Sequence, residues 1–539
     1  MTPATTEPVL PLPDDRTWAA FSDATPWIVD RTALPWMADV PALRAAAHAE
    51  VPTLTTPERF PPALRFTRVV SRLVVALGPW LVRNRLRRFA SPEAKRLALS
   101  NALRRAAEDL GPTYIKLGQI ISSGEGLFPP ELVREFRLLR DQVPAEPFDV
   151  VRTVVEAELG GSIEATFAWF DHTPLAAASI AQVHAARLRT GEDVVVKVQR
   201  PAVATLVRQD LRAMAWLAPH LVGRIPVAAL ANPPALVELF AETITEELDF
   251  RLEAANMLDV AVVLADLGQR GYVVPRPHQT LVTRRMLVME KLAGFAFDDV
   301  AGIKAAGIDT QAVIRTGMIA FMEGAMIHGI FHGDLHGGNL FVMADGRTAL
   351  LDFGITARLS PERRLAFLRL MLGATTNDVT GQLAALRDLG ALPPDTDLQA
   401  VMTDLRLDQP TVDPTTLTGE QLVAEVQRVV KALLGYGARL PKELMLYVKN
   451  LVFLDGAIAT LAPDLDLLAE IAAISMQFAQ RHGERLSHEL GFDPSTIDID
   501  LDGVKASLGV DPSTDHLTYR ELQARRDLIN KRMRAHVGR

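Results

Sequence analysis

His332-Gly333-Asp334-Leu335-His336-Gly337-Gly338-Asn339 sets an Asp and an Asn five positions apart, and Asp352-Phe353-Gly354 begins thirteen residues after that Asn. These residue types at this spacing suit phosphoryl transfer. Asp334 would face the attacking nucleophile, while Asn339 and Asp352 would hold Mg²⁺ on the phosphates of a nucleotide. Between them, Leu340-Phe341-Val342-Met343 and Thr348-Ala349-Leu350-Leu351 flank Asp345-Gly346 and predict two short strands joined by a tight turn. A hairpin turn without chemistry would explain the His-x-Asp, but not the second Asp at the matching distance.

Upstream, Lys197 ends the apolar run Val194-Val195-Val196-Lys197-Val198, which predicts a central strand. An unpaired ammonium buried there would be costly, so Lys197 needs an anionic partner. In a phosphoryl-transfer site it would reach the α/β-phosphates and be held by a Glu on a nearby helix. The acidic segment Glu246-Glu247-Leu248-Asp249-Phe250-Arg251-Leu252-Glu253 is the candidate source. Read as one helix, it puts Asp249 and Glu253 on a shared face and lets Glu247 pair with Arg251.

Two absences limit the substrate. Where a Gly-rich phosphate loop is expected, the chain has Pro174-Leu175-Ala176-Ala177-Ala178-Ser179-Ile180-Ala181-Gln182-Val183-His184, and alanine has less freedom at positive φ than glycine. After Gly354 the chain reaches Ser360-Pro361-Glu362, a helix start, within a few residues. No long activation segment and no Ala-Pro-Glu follow, which argues against an ordinary protein kinase.

The 539 residues allow two or three domains or one two-lobed body with extensions, and 48% hydrophobic with 23% charged residues suits a large core. A net charge of −8 argues against nucleic acid as the main partner, and the lack of Cys excludes disulfides, thiolate metal sites and a cysteine nucleophile. No signal peptide is evident, no uninterrupted run of 18 or more apolar residues occurs, and no transmembrane helix is expected. Residues 64–89 instead carry an apolar run with Trp80 among Arg65, Arg68, Arg72, Arg83, Arg85, Arg87 and Arg88. This segment predicts either a helix lying in a membrane interface or one packed on the protein's own body. A cytoplasmic protein, peripheral at the membrane, is the matching expectation.

Five regions follow from the patterning. Residues 1–62 form an arm with 11 of the 35 prolines and with Trp18, Trp27 and Trp36; disorder with occasional contacts is expected, docking being the alternative. Residues 63–160 are a helical extension. Residues 161–292 are a strand-rich lobe with strands at Ala165–Asp171, Ile180–Leu188, Val194–Val198 and Thr283–Glu290 and a helical insert over 201–262. Residues 293–485 form a helical lobe, and 486–539 a tail. In that tail Asp498-Ile499-Asp500-Leu501-Asp502-Gly503 opens like a calcium loop, but Gly509 stands where a bidentate Glu is needed. The last stretch starts with a capping box, Thr518-x-x-Glu521, and predicts a basic helix.

Four of these stretches resemble motifs of the UbiB family of atypical kinases, over roughly residues 95–465. Lys116-Leu117-Gly118-Gln119 is similar to its Lys-x-Gly-Gln signature, Ala176–His184 to its Ala-rich loop, Glu247-Leu248-Asp249 to its Glu-x-Asp motif, and Phe331–Asn339 to its catalytic loop. The resemblance implies an α+β, two-lobed protein-kinase-like fold with a family-specific helical N-terminal extension and a helix-rich C-lobe. It implies Glu253 as the partner of Lys197, and Lys116, Gly118 and Gln119 occluding the cleft beside Glu247, Asp249 and Asp334 so that protein phosphorylation is suppressed. ATP (or ADP) with Mg²⁺ is the implied cofactor. Its contacts would be Ala176, Ala177, Ala178, Ser179, Lys197 and, at the end of the Thr283–Glu290 strand, Met289, Glu290 and Leu292. The family's tie to lipid and isoprenoid-quinone metabolism implies a membrane lipid surface or lipid-biosynthesis proteins as partners; a nucleotide-binding scaffold and an atypical protein kinase are the alternatives. Oligomeric state stays open. Ser122–Pro129 and the loop residues Gly333, Leu335 and Gly337 depart from the family pattern, which bears on substrate rather than on nucleotide and metal.

Overall fold

The computed structural model describes residues 29–60, 63–86, 88–122, 129–139, 143–221, 233–376, 378–407, 441–491 and 513–537, with residues 20–22, 27, 421, 428–429, 432–433, 435–438, 505 and 511. Trp18, Arg87, residues 123–128 and the 498–503 loop lie outside these. An arm helix, α1 (Val40–Thr55), precedes the extension, which holds α2 (Ala63–Arg85), α3 (Pro92–Leu110), α4 (Pro112–Ser122), α5 (Pro130–Arg137) and α6 (Phe148–Leu159). Capping chemistry sets these ends. Ser91 accepts the Ala94 N–H at 3.1 Å with Pro92 at N1, and Gly111 at φ +98° stops α3 before Pro112 restarts the chain as α4.

One helical turn, α7 (Ile163–Thr166), leads into the first lobe. Its sheet comprises β1 (Phe167–Phe170), β2 (Ala176–Ala177), β3 (Ala181–Leu188) and β4 (Asp193–Gln199), followed by α8 (Val203–Leu221), α9 (Pro233–Glu246) and α10 (Phe250–Asp266). After β5 (Tyr272–Val273) come β6 (Pro277–Val282) and β7 (Met286–Glu290). The antiparallel order is β1-β3-β4-β7-β6, with β2 on β3, so β4 is central. Alternation along β4 decides what each side does. Val194, Val196 and Val198 bury against Val151, Val154 and Val155 of α6, which leaves Val195 and Lys197 for the opposite face.

Two expectations change here. The run Thr283–Glu290 is not one strand: Thr283, Arg284 and Arg285 turn the chain, with the Thr283 hydroxyl accepting the Met286 N–H at 3.1 Å. The arm is not disordered where described. Phe21, Val29, Leu34, Trp36, Val40 and Leu54 join the main core, and the indole N–H groups of Trp27 and Trp36 donate to the Pro277 and Gln279 carbonyls at 2.8 and 3.1 Å. Tryptophan can dock in this way because its bulk is apolar and its single donor is met.

The second lobe begins at β8 (Phe295–Ala296) and is built on α11 (Val300–Ala305) and α12 (Thr310–Glu323). Then come β9 (Ile330–His332), β10 (Leu340–Val342), β11 (Thr348–Leu350), β12 (Thr356–Arg358) and α13 (Pro361–Thr375). The predicted hairpin forms with Leu340 opposite Leu350, and Gly346 at φ +84° makes its turn. Ser360 caps α13 directly after β12, so little chain separates Gly354 from the helix. Beyond α14 (Val379–Asp388) and α15 (Leu398–Asp404) lie α16 (Lys442–Leu461), α17 (Leu467–Leu490) and α18 (Tyr519–Val537). The fold is α+β and two-lobed, with the cleft between the sheet and the β9–β12 region.

Candidate phosphoryl-transfer site

Lys197 leaves β4 towards α10, and its Nζ lies 2.6 Å from Glu253 Oε1 and 3.1 Å from Asp352 Oδ1. Residues 56 and 155 positions apart thus share one ion cluster. Asp352 holds φ +53°, a backbone state costing about 1–3 kcal/mol for a residue with a Cβ. Its carboxylate accepts the Gly354 N–H at 3.1 Å, and its carbonyl accepts from His332 Nε2 at 2.9 Å. His332 Nδ1 in turn accepts the Asp334 N–H at 3.1 Å, so one imidazole clamps both acidic segments. Burial lowers the His332 pKa, which suits this neutral tautomer.

Asn339 donates from Nδ2 to the Asp334 carbonyl at 3.1 Å, so its Oδ1 is the atom it can offer a cation. One carboxylate and one amide oxygen on adjoining loops fit Mg²⁺, which takes few protein ligands and completes its shell with phosphate and water. Asn339 and Asp352 would hold that ion, which on binding would neutralise phosphate charge.

Lys116 comes from α4 of the extension and is buried, with Nζ 2.9 Å from Glu247 Oε1. The Ala-rich stretch is a tight turn: Ala176 and Ala177 pair with Val183 and Gln182, and the Ala178 N–H meets the Ala181 carbonyl at 2.8 Å. Ala176 and Ala178 are exposed, Ala177 is half-buried and Ser179 is buried. Arg200 Nε donates to the Ala178 carbonyl at 3.0 Å while its Nη1 reaches Glu146 at 2.7 Å, tying the turn to the end of the extension.

Residues 138–385 match the model of the ABC1 atypical kinase-like domain. An uncharacterised Mycobacterium tuberculosis protein is 37% identical over 372 residues, covering 67% of this chain and 74% of its own length. A chloroplast aarF domain-containing protein kinase of Arabidopsis thaliana is 33% identical over 443 residues, covering 75% and 81%. The probable protein kinase UbiB of Marinobacter nauticus is 30% identical over 407 residues, covering 74% and 71%. The chain belongs to the ABC1/UbiB family of atypical kinases.

Within this UbiB-family site, four carboxylates, Glu247, Glu253, Asp334 and Asp352, crowd three ammonium groups. The acid excess shows in their titration. Burial pushes the Glu253 carboxyl up to about 7 against the pull of Lys197, with Asp352 adding to the rise. Burial likewise raises Glu247. It opposes ionisation of Asp352 too, but Lys197 and Lys116 overcome it and hold that carboxyl below its usual range. For Asp334 the overcoming charges are Lys449, His336 and Lys116.

Lys449 is the residue that sequence reasoning missed. It stands on α16, 115 positions after Asp334, and its ammonium pairs with Asp334 Oδ1. Its neighbour Asn450, fully buried, donates to the His332 carbonyl and accepts the Leu335 N–H at 3.1 Å. A Lys-Asn pair in the middle of an apolar 20-residue helix was the available signal. Among the described residues α16 is also the one helix long and apolar enough to cross a membrane, yet these two contacts bind its centre to the catalytic loop.

Two assignments need correction. Glu247 does not pair with Arg251, because α10 starts at Phe250 and position 247 precedes its cap; Glu247 meets Lys116 instead. Asp249 is that N-cap, accepting the Arg251 N–H and pairing with the Arg251 guanidinium at 2.7 Å, so its carboxylate serves α10 rather than the plug. Glu290 turns its carboxylate to the Ser22 hydroxyl and the Arg276 N–H, and its own N–H donates to the Arg276 carbonyl at 2.8 Å. Met289 is buried on β7 and Leu292 half-buried just beyond it. Gly118 acts through packing: a Cβ there would lie 2.3 Å from Leu139 Cδ1, so its bare backbone lets α4 approach the end of α5. Gln119 is half-buried on the same helix, its carbonyl accepting from Ser122 at 2.8 Å.

Proposed function

We propose that this protein is an ATP- and Mg²⁺-dependent atypical kinase or ATPase acting at a membrane surface, on a lipid-like molecule or a lipid-pathway assembly. One observation carries the reading: Lys197, Glu253 and Asp352 meet in a single ion cluster beside Asp334 and Asn339, although they come from both lobes. In the proposed reaction Lys197 anchors the phosphates, Glu253 positions Lys197, Asn339 and Asp352 hold the ion, and Asp334 orients the nucleophile. The exposed Val74, Val75, Leu81 and Val82 on α2, flanked by arginines, support a peripheral site at the cytoplasmic membrane.

A nucleotide-binding scaffold with little turnover is the second reading, favoured by Lys116 filling the cleft against Glu247. Phosphate release from ATP, measured with and without anionic liposomes for wild type and Asp352→Asn, separates the two. The enzyme reading expects lipid to raise the rate and Asp352→Asn to abolish it. If neither changes phosphate release, the protein is a scaffold.

A further inference from the structure

The catalytic loop holds no lysine or arginine between Asp334 and Asn339; Leu335, His336, Gly337 and Gly338 fill the interval. Phosphoryl transfer spreads negative charge over the equatorial oxygens of the moving group, and fixed cations around it supply most of the stabilisation. Lys197 serves from the sheet side. A cation on the opposite side has to come from elsewhere in the fold.

Lys449 occupies that place. Its ammonium sits against Asp334 Oδ1, with its side chain only 12% exposed. Asn450 bonds the loop on both flanks of Asp334, at the His332 carbonyl and the Leu335 N–H, so α16 and the catalytic loop move as one piece. Such double anchoring is what holds a catalytic group in place before the reaction. Lys449 also lines an open cleft of about 460 Å³ together with Leu335, His336, Gly337, Phe297 and Phe453. It therefore stands between Asp334, which it touches, and that cleft.

We propose that Lys449 is a catalytic residue: it binds the transferring phosphoryl group from the C-lobe side, and the cleft it lines is the acceptor's entrance. This rests on the nucleotide reading above. In the step, an acceptor hydroxyl or water oxygen bonds to the γ-phosphorus, and the bond from that phosphorus to the bridging oxygen breaks. ADP leaves with the electron pair, and the acceptor's proton passes to the Asp334 carboxylate. Lys449 shares its charge between Asp334 and the phosphoryl oxygens, and so favours the transition state more than bound ADP.

The test compares wild type, Lys449→Met and Lys449→Arg in the full chain by thermal shift with Mg·ADP alone and with Mg·ADP plus fluoroaluminate, a planar phosphoryl mimic. Wild type should be stabilised further by fluoroaluminate. Lys449→Met should keep the Mg·ADP shift, which also shows that it is folded, and lose the extra increment; Lys449→Arg should keep part of it. In ATP turnover, kcat of Lys449→Met should fall about 10²–10³-fold at every pH. Retention of the full fluoroaluminate increment by Lys449→Met, or complete recovery of its kcat at alkaline pH, overturns the proposal, because Lys449 would then only keep Asp334 ionised. A wild type that Mg·ADP does not stabilise fails the nucleotide reading itself.

Discussion

Lys116 Nζ lies 2.9 Å from Glu247 Oε1 inside the cleft and forms an ion pair with it. Both partners are buried, Lys116 on the extension and Glu247 at the α9–α10 corner. The extension therefore meets the first lobe through a buried ion pair at the cleft. Breaking a buried pair by removing one partner leaves the other uncompensated, at about 3–5 kcal/mol. Lys116→Met should lower the unfolding midpoint, change Mg·ADP affinity and release autophosphorylation, read as phosphate incorporated from labelled ATP. Lys116→Met combined with Glu247→Gln should regain stability in denaturant unfolding, with a coupling of about 0.5–3 kcal/mol. No change in affinity or autophosphorylation in either variant would deny Lys116 an inhibitory part.

Glu253 makes stability depend on pH. Its carboxyl is raised from 4.5 to about 7 by burial, with Lys197, Asp352 and Glu247 facing it. A group whose folded pKa lies above its unfolded value stabilises fully below the unfolded value and loses that contribution as pH rises through the folded one. Glu253 should therefore contribute on the order of 3 kcal/mol at pH 4.5 that disappears by pH 7 to 8. The lowered carboxyls Asp334 and Asp352 act with the opposite sign, their contribution present above pH 4 and lost only as pH falls further. Urea unfolding of wild type and Glu253→Gln at pH 5 and pH 8 checks this: the wild type should lose more stability across that interval.

Gly118→Ala tests whether the extension must seat closely to position Lys116. The added Cβ would meet Leu139 Cδ1, whose side chain is itself buried and has little room to yield. Overpacking of this kind costs about 1–3 kcal/mol. The substitution should lower the melting temperature and, by displacing α4, reproduce the change in Mg·ADP affinity expected for Lys116→Met. A stable variant with wild-type affinity would show that α4 tolerates the shift.

The candidate site is legible in the sequence because its residues sit in local motifs with fixed spacing: Asp334 with Asn339, and the hairpin that leads to Asp352. Lys197 was legible because a lysine in an apolar strand demands a partner. Glu253 and Lys116 became legible through family motifs, since nothing local links position 116 to 247. The missed contacts are those made by long-range packing. Lys449 meets Asp334 only once α16 folds back across the second lobe, and Ser22 meets Glu290 only once the arm docks. The misread corner at 247–249 had a local cause: a continuous acidic helix looked favourable, yet Asp249 is a better N-cap than an interior residue, so the helix breaks there.

The α2 helix has one side packed on the body and one side exposed. Trp80 does not lie free for a membrane, because its indole N–H donates to the Lys95 carbonyl at 3.1 Å, and Arg65 is buried against Asp210. Those contacts hold one side of the helix to the body. The other side presents Val74 and Val75, then Leu81 and Val82 seven positions on, each more than half exposed, with Gly78 between them opening onto empty space. Apolar residues at that spacing form a continuous stripe, and an exposed stripe beside arginines suits anionic lipid. Val75→Glu with Val82→Glu should leave the unfolding free energy within about 0.5 kcal/mol of wild type, as expected for exposed sites. The same pair should abolish co-flotation with liposomes containing anionic lipid, and with it any lipid stimulation of ATP turnover. Undiminished flotation would deny α2 a part in lipid binding.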